Sequence, residues 1–150
     1  MNELKVALYN ACMTFILARI ENAETALAQA QEASNDDTKS SAGDKFETTR
    51  EMMQQDIFRN KKLLADATQQ LALLKSLEAT PPSEVVKSGS LVVTSQGSFY
   101  LAISAGQLSL GGKTTFAISA ASPVGQLMLG KRAGDKFAFN QKEFNILEVL

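Results

Sequence analysis

The chain has 150 residues, 45% apolar and 21% charged, with a formal net charge of −1. This length allows one domain or two small ones and the composition builds a core, which excludes a disordered chain, while the near-zero charge excludes a bulk nucleic-acid binder with its usual basic excess. A single cysteine, Cys12, excludes an internal disulfide, and the lack of histidine removes the usual general base, the usual zinc ligand and the Ser/His and Cys/His nucleophile pairs, so self-contained catalysis is not expected.

From residue 2 to about residue 33, Tyr9, Met13, Ile16, Ile20, Ala23, Leu27 and Ala30 recur at alternating spacings of three and four without Gly or Pro. This predicts one apolar stripe on one long helix. The apolar stretch 6–18 contains Asn10 and Thr14, follows Glu3 and a single lysine, and continues the helical period, so it is expected to be part of this helix rather than a secretory signal. No run approaches the roughly 20 apolar residues of a membrane span, and a cytoplasmic protein is expected. After the polar break SNDDTKSSAGD a second stripe follows: Met53, Ile57, Asn60, Leu64, Ala67, Leu71 and Leu74. Two such helices joined by a tight polar connection predict an antiparallel coiled-coil hairpin over residues 1–79, its acidic tip near 35–47. About 30 helical residues make a rod on the order of 45 Å long. The alanines in the stripes bury little area, so the distal part of the hairpin is expected to be the least stable region.

Thr80-Pro81-Pro82-Ser83 ends the helical pattern, since proline lacks the N–H a helix needs and restricts its predecessor, which makes 80–84 a linker. Over 85–150 the period becomes that of strands: SLVVT (90–94), SFYLAIS (98–104), KTTFAIS (113–119), DKFAF (135–139) and EFNILEV (143–149). Gln96-Gly97, Ala105-Gly106 and Gly111-Gly112 supply hairpin or loop signals between them. One short helix is marked by Ser122 as cap, Pro123 at the first position, Leu127 and Leu129 as apolar contacts and Gly130 as terminator. The chain is therefore predicted to be α+β, a helical hairpin followed by a small antiparallel β-sheet with one short helix. The pentapeptide AGDKF occurs at 42–46 and 133–137, first at the hairpin turn and then at the entry to a strand, so it is not a repeat.

The stretch SPVGQLMLGKRAGDKF (122–137) resembles the C-terminal domain of Gre-type bacterial transcript-cleavage factors, in which a Ser-Pro, a short leucine-containing helix, a Gly-Lys and a Gly-Asp before a strand follow in this order. The layout is similar as well: these factors join an N-terminal antiparallel coiled coil to a domain of FK506-binding-protein-like (FKBP-like) fold. Gly43-Asp44-Lys45-Phe46-Glu47 has the spacing of the family's tip, Gly-Asp, two residues, then Glu. The resemblance implies a transcription factor with no active site of its own, which binds RNA polymerase through the secondary channel and docks its second domain on the channel rim. It implies that Asp44 and Glu47 hold a catalytic Mg2+ and a water at the polymerase active site, stimulating cleavage of backtracked RNA, with the nascent RNA 3′ end engaged indirectly.

Elementary chemistry is compatible with that assignment. Asp44 and Glu47, three apart at a helix start, share a face, and the helix N-terminus favours their ionised forms. Two exposed carboxylates alone make a weak magnesium site, because the ion demands octahedral geometry and releases water reluctantly. Acids from the partner would complete the shell, and the second ion of a two-metal centre would activate water against an RNA phosphodiester. The same pair also reads as a capping box, a capping Asp with Glu three residues on. Asp36 and Asp37 are expected as solvated loop acids that supplement the charge of the tip. Lys45 and Arg50 are candidates for contacts to the channel or RNA phosphates, whereas Lys39, Arg59, Lys61 and Lys62 read as solvated charges on a rod. Phe46 either closes the end of the helix pair or anchors on the partner.

Thr48-Thr49-Arg50-Glu51 stand where the family usually has an asparagine followed by an acidic-aromatic pair. This raises a second reading, a channel-binding regulator that inhibits or modulates transcription without cleavage. A third is a peptidyl-prolyl isomerase, which requires an aromatic-lined pocket, although strand alternation places several of Phe99, Tyr100, Phe116, Phe137, Phe139 and Phe144 in the core. A fourth is a structural adaptor whose coiled coil pairs with another helix. A hairpin that covers its own stripe predicts a monomer.

Overall fold

The structure, a computed structural model, describes the backbone of residues 3–37 and 43–150 and, within these, the side chains at 3–35 and 49–150. Two long helices open the chain, α1 (Glu3–Asp37, 35 residues) and α2 (Gly43–Ser76, 34 residues). All seven residues of each predicted stripe are buried or half-buried, as a helical hairpin requires. α1 runs past the predicted end near residue 33, so the backbone of Asp36 and Asp37 is the last turn of a helix and not a loop. Each residue added to a formed helix closes another hydrogen bond, and Ser34-Asn35-Asp36-Asp37 contains no Gly or Pro to stop it. α2 begins at Gly43, which makes Asp44 the second helical residue instead of the capping residue before the helix. A glycine is tolerated there because the first N–H groups of a helix need no intrahelical acceptor. At its other end α2 stops at Ser76, and the chain turns through bonds from the Leu77 and Thr80 N–H groups to the carbonyls of Leu74 and Leu77 before reaching Pro81.

The chain divides into two compact units, residues 1–15 with 72–150 and Ile16–Leu71, so the division crosses both helices rather than following the Pro81-Pro82 linker. In the second unit the two helices bury Ile16, Ala23 and Ala67, flanked by half-buried Ile20, Leu27, Ile57, Leu64 and Leu71. Asn60, within this stripe, turns its amide to the Asp56 carbonyl at 2.9 Å and so satisfies itself locally.

The first unit holds β1 (Leu91–Thr94), β2 (Gly97–Ala102), β3 (Gly106–Leu110), β4 (Lys113–Ser119), α3 (Pro123–Met128), β5 (Lys136–Phe139) and β6 (Lys142–Val149). They form one six-stranded sheet in the order β3-β4-β2-β1-β6-β5. Four pairings are antiparallel, but β2 and β4 run parallel, so the expected fully antiparallel sheet is in fact mixed. The difference arises from β3, which carries the sequence GQLSL and was not expected because Gly106 reads as a turn residue. β3 leaves β2, and the Gly111-Gly112 turn, with φ of 58° and 77°, sends β4 back between them. The interior position of β4 buries Thr115 and Ala117 and half-buries Ile118, while the exposed Gln107 and Ser109 suit β3 to the edge.

Both faces of this sheet are covered. On one, Val86, Val92, Phe99, Leu101, Met128, Phe137, Phe144 and Ile146 form a core. Phe137 and Phe144 stack with centroids 4.8 Å apart, and Phe99 meets Phe144 edge-on at 6.1 Å, so these rings close on one another. On the other face the register aligns Leu91, Tyr100 and Ala117, all buried. Leu8, Cys12 and Leu74, from the helix ends of the same unit, are fully buried as well. α3 is built as its signals predict, with Ser122 Oγ accepting from the Gly125 N–H at 3.1 Å, Pro123 at the first position and Gly130 at φ 82°. The contacts differ from expectation: Gly125 and Met128 face the core, while Leu127 and Leu129 are exposed. A three-residue spacing from Gly125 to Met128 follows one helix face, which leaves residue 127 pointing away. The second AGDKF is a turn in which the Asp135 carboxylate accepts the Arg132 N–H at 2.8 Å.

Candidate functional site

Asp37 ends α1 and Gly43 begins α2, so only residues 38–42 separate the helices. Asp44, Lys45, Phe46 and Glu47 all fall in the first turns of α2, and their side chains, like those of Asp36 and Asp37, lie outside the described residues; Lys39 does so entirely. Their helical backbone keeps Asp44 and Glu47 on neighbouring positions of one face, where the unpaired N–H groups favour anions. In donor chemistry the pair fits a shared magnesium ion: two carboxylates offer part of an octahedral oxygen shell and leave the remainder to water or to another protein.

Beyond the tip, Arg50 is exposed on α2. Arg59 is exposed but bonded to Asp56 at 2.6 Å, whereas Lys61 and Lys62 are exposed one turn further on. The same helix presents Phe58, 72% exposed, and Met52, 61% exposed. Phe58 lies off the apolar stripe of α2. Its signal was present: a phenylalanine between stripe positions Ile57 and Asn60 has no place in the helix pair and must face outward. A shallow depression beside it is lined by Glu51, Gln54 and Gln55. Aromatic side chains are enriched in protein interfaces, although a single exposed one is also ordinary on a protein surface.

Among the described residues, the perturbed titratable groups lie in the first unit. Burial pushes the Cys12 thiol from 9.0 up to about 11. Burial also raises the Tyr100 phenol, helped by Cys12 and Tyr9, and raises Tyr9, helped by Glu78. Lys5 is lowered by burial and by the neighbouring Lys87 charge. Lys5, Tyr9 and Tyr100 line a cavity of about 250 Å³ together with Val6, Leu77 and Glu78. Tyr9 belongs to the predicted stripe; its second role was hidden because a heptad pattern reports only the face turned to the partner helix.

No family model matches the chain, and no curated protein matches it.

Proposed function

We propose that this protein binds RNA polymerase through the secondary channel and brings Asp44 and Glu47 to the active-site magnesium, stimulating cleavage of backtracked RNA. The observation that carries the reading is a combination: two helices, each about 50 Å long, carry Gly43-Asp44-Lys45-Phe46-Glu47 at the start of the second, in a chain whose β-sheet unit builds SPVGQLMLGKRAGDKF as cap, short helix and turn. In this reading the acids supply part of the metal shell, the polymerase supplies the rest, and hydrolysis belongs to the complex. Lys45 and Arg50 contact the channel or RNA phosphates, Phe46 is an anchor, and Asp36 and Asp37 add negative charge to the tip. The exposed Leu127 and Leu129 belong to the rim-docking surface. The protein acts as a cytoplasmic monomer.

A stalled elongation complex with magnesium tests this directly. Shortening of the RNA 3′ end on addition of the protein, lost in Asp44→Ala and Glu47→Ala with binding retained, supports the reading. Thr48-Thr49-Arg50-Glu51, which depart from the family pattern, favour a second outcome, in which the protein binds and changes initiation or elongation rates without shortening the RNA. Absence of binding to purified polymerase removes both.

A further inference from the structure

The sheet order leaves β5 and β3 at the two edges. β5 carries Lys136, exposed and paired with Glu143 at 3.6 Å, and a charge of this kind discourages a further strand from adding. β3 and the turn that follows it, GQLSLGG (106–112), hold no charge and no proline. The register shows which of its backbone groups are open. Gly111 and Gly112, both at positive φ, make a two-residue turn, so Leu110 and Lys113 exchange both backbone bonds across it, and antiparallel alternation repeats this at Leu108 with Thr115 and at Gly106 with Ala117. Gln107 and Ser109 therefore turn their N–H and C=O groups away from β4, and no loop or side-chain bond formed among the described residues reaches them. Both residues are exposed, while Leu108 and Leu110 are half-buried. The edge is also self-complementary. Laid antiparallel on a second copy about Leu108, β3 sets Gln107 against Ser109 and Ser109 against Gln107, pairs whose open groups exchange both bonds, and sets Leu108 against Leu108 as the close pair, about 4.5 Å apart at Cα. Gly106 falls opposite Leu110, where the missing side chain leaves room for the leucine. No charge meets a like charge along this contact, and one patch serves both copies, as a two-fold interface requires. A strand of five residues buries less than the roughly 1,200 Å² of a stable interface, so the association is weak and reversible.

We propose that β3 pairs antiparallel with β3 of a second copy of this chain, joining two sheets through Gln107, Leu108 and Ser109 into a transient two-fold dimer. This goes beyond the polymerase reading, in which one copy acts alone, and the pair is weak enough to release that copy. The test follows the full chain by analytical ultracentrifugation and by its amide NMR signals over a dilution from about 1 mM to about 10 μM. A monomer–dimer equilibrium with a dissociation constant on the order of 100 μM is expected, with concentration-dependent shifts concentrated at Gln107, Leu108 and Ser109. Gln107→Lys/Ser109→Lys sets lysine against lysine at exposed positions and weakens association at least about tenfold. Gln107→Glu/Ser109→Glu does the same with carboxylates, and an equimolar mixture of the two variants restores pairing. The spectra also report that each variant is folded. A chain that stays monomeric up to about 1 mM, whether or not its edge accepts a strand from another protein, overturns the proposal. So do shifts confined to other residues, association unchanged in both folded variants, or a mixture that does not pair. None of these readouts involves polymerase, so the dimer stands or falls separately from the reading above.

Discussion

Gly125 is a residue whose identity is set by the atoms crowded against it. It sits in α3, and a β-carbon there would run into the Ser119 carbonyl and come within 2.9 Å of Ser122 Oγ, the atom that caps the helix. Because Ser122 also donates to the Ser119 carbonyl at 2.6 Å, the intruding methyl has rigid backbone on one side and a committed hydroxyl on the other. Gly125→Ala is therefore expected to destabilise the fold by roughly 1–3 kcal/mol, against the gain a Gly-to-Ala change gives in an open helix. Urea midpoints of the two proteins measure this, and a variant as stable as the parent contradicts the contact. Cys12 makes a pH prediction. Its folded pKa of about 11 lies above the ordinary 9.0, so between these values the unfolded chain loses a proton that the native protein keeps. Stability is then unaffected below about pH 9 and falls as pH rises through the window up to about 11, with Tyr100, raised in the same sense, steepening the loss. Urea midpoints recorded from neutral to alkaline pH are expected to bend downward there. At ~pH 8 the buried thiol is also expected to resist an aromatic disulfide reagent until the protein is unfolded.

The hairpin of β5 and β6 shows what one element stores. Its two turn residues, Asn140 and Gln141, have φ of 51° and 65°, the left-handed pair that a two-residue turn between twisted strands requires. Asparagine adopts this conformation readily, but glutamine does not, and such a residue costs about 1–2 kcal/mol. Gln141→Gly is expected to stabilise the protein by roughly 0.5–1 kcal/mol after the extra chain entropy of glycine is subtracted, whereas Gln141→Val destabilises it. Thermal unfolding of the three proteins in order Gly, Gln, Val checks the sign. The elements themselves were largely legible: both helical stripes, the strand at Lys113–Ser119 and the cap and stop of α3 follow from spacing and turn chemistry, which are local. What escaped the sequence is non-local. β3 escaped because Gly106 resembles a turn, and the parallel β2/β4 pair because consecutive strands were expected to neighbour each other, whereas the preference of β4 for a buried lane decides the order. The burial of Leu8 and Cys12 escaped for a related reason, since α1 is covered there on more than its hairpin face. At the candidate site, the spacing of Asp44 and Glu47 made their place at the start of a helix legible, Phe58 is signalled by its position between stripe residues, and the cavity beside Tyr100 depends on helix ends and a strand that meet only in the fold.

At the scale of the molecule, the two compact units differ in what holds them. The unit of residues 1–15 and 72–150 buries Leu8, Cys12, Leu74, Leu91, Tyr100, Leu101 and a stacked aromatic cluster on two faces of a six-stranded sheet. In Ile16–Leu71 the buried described apolar side chains are Ile16, Ala23 and Ala67, two of them methyl groups that remove little apolar area from water. At about 25 cal/mol per Å² of apolar surface, that second interface carries far less stabilisation per residue, so its helices open at a lower free energy than the sheet. Native-state hydrogen exchange is expected to resolve two levels of protection, with α2 amides from about residue 50 to 70 exchanging at least tenfold faster than those of β1, β2 and β6. Ala23→Gly sharpens the comparison. The change costs roughly 1 kcal/mol of helix propensity, and it should speed exchange in the second unit about fivefold while leaving the sheet amides unchanged. If the sheet amides accelerate equally, the protein unfolds as one cooperative body. A helical pair that opens separately would have a functional consequence under the polymerase reading, because the α2 positions that carry Asp44 and Glu47 belong to the less stable of the two units.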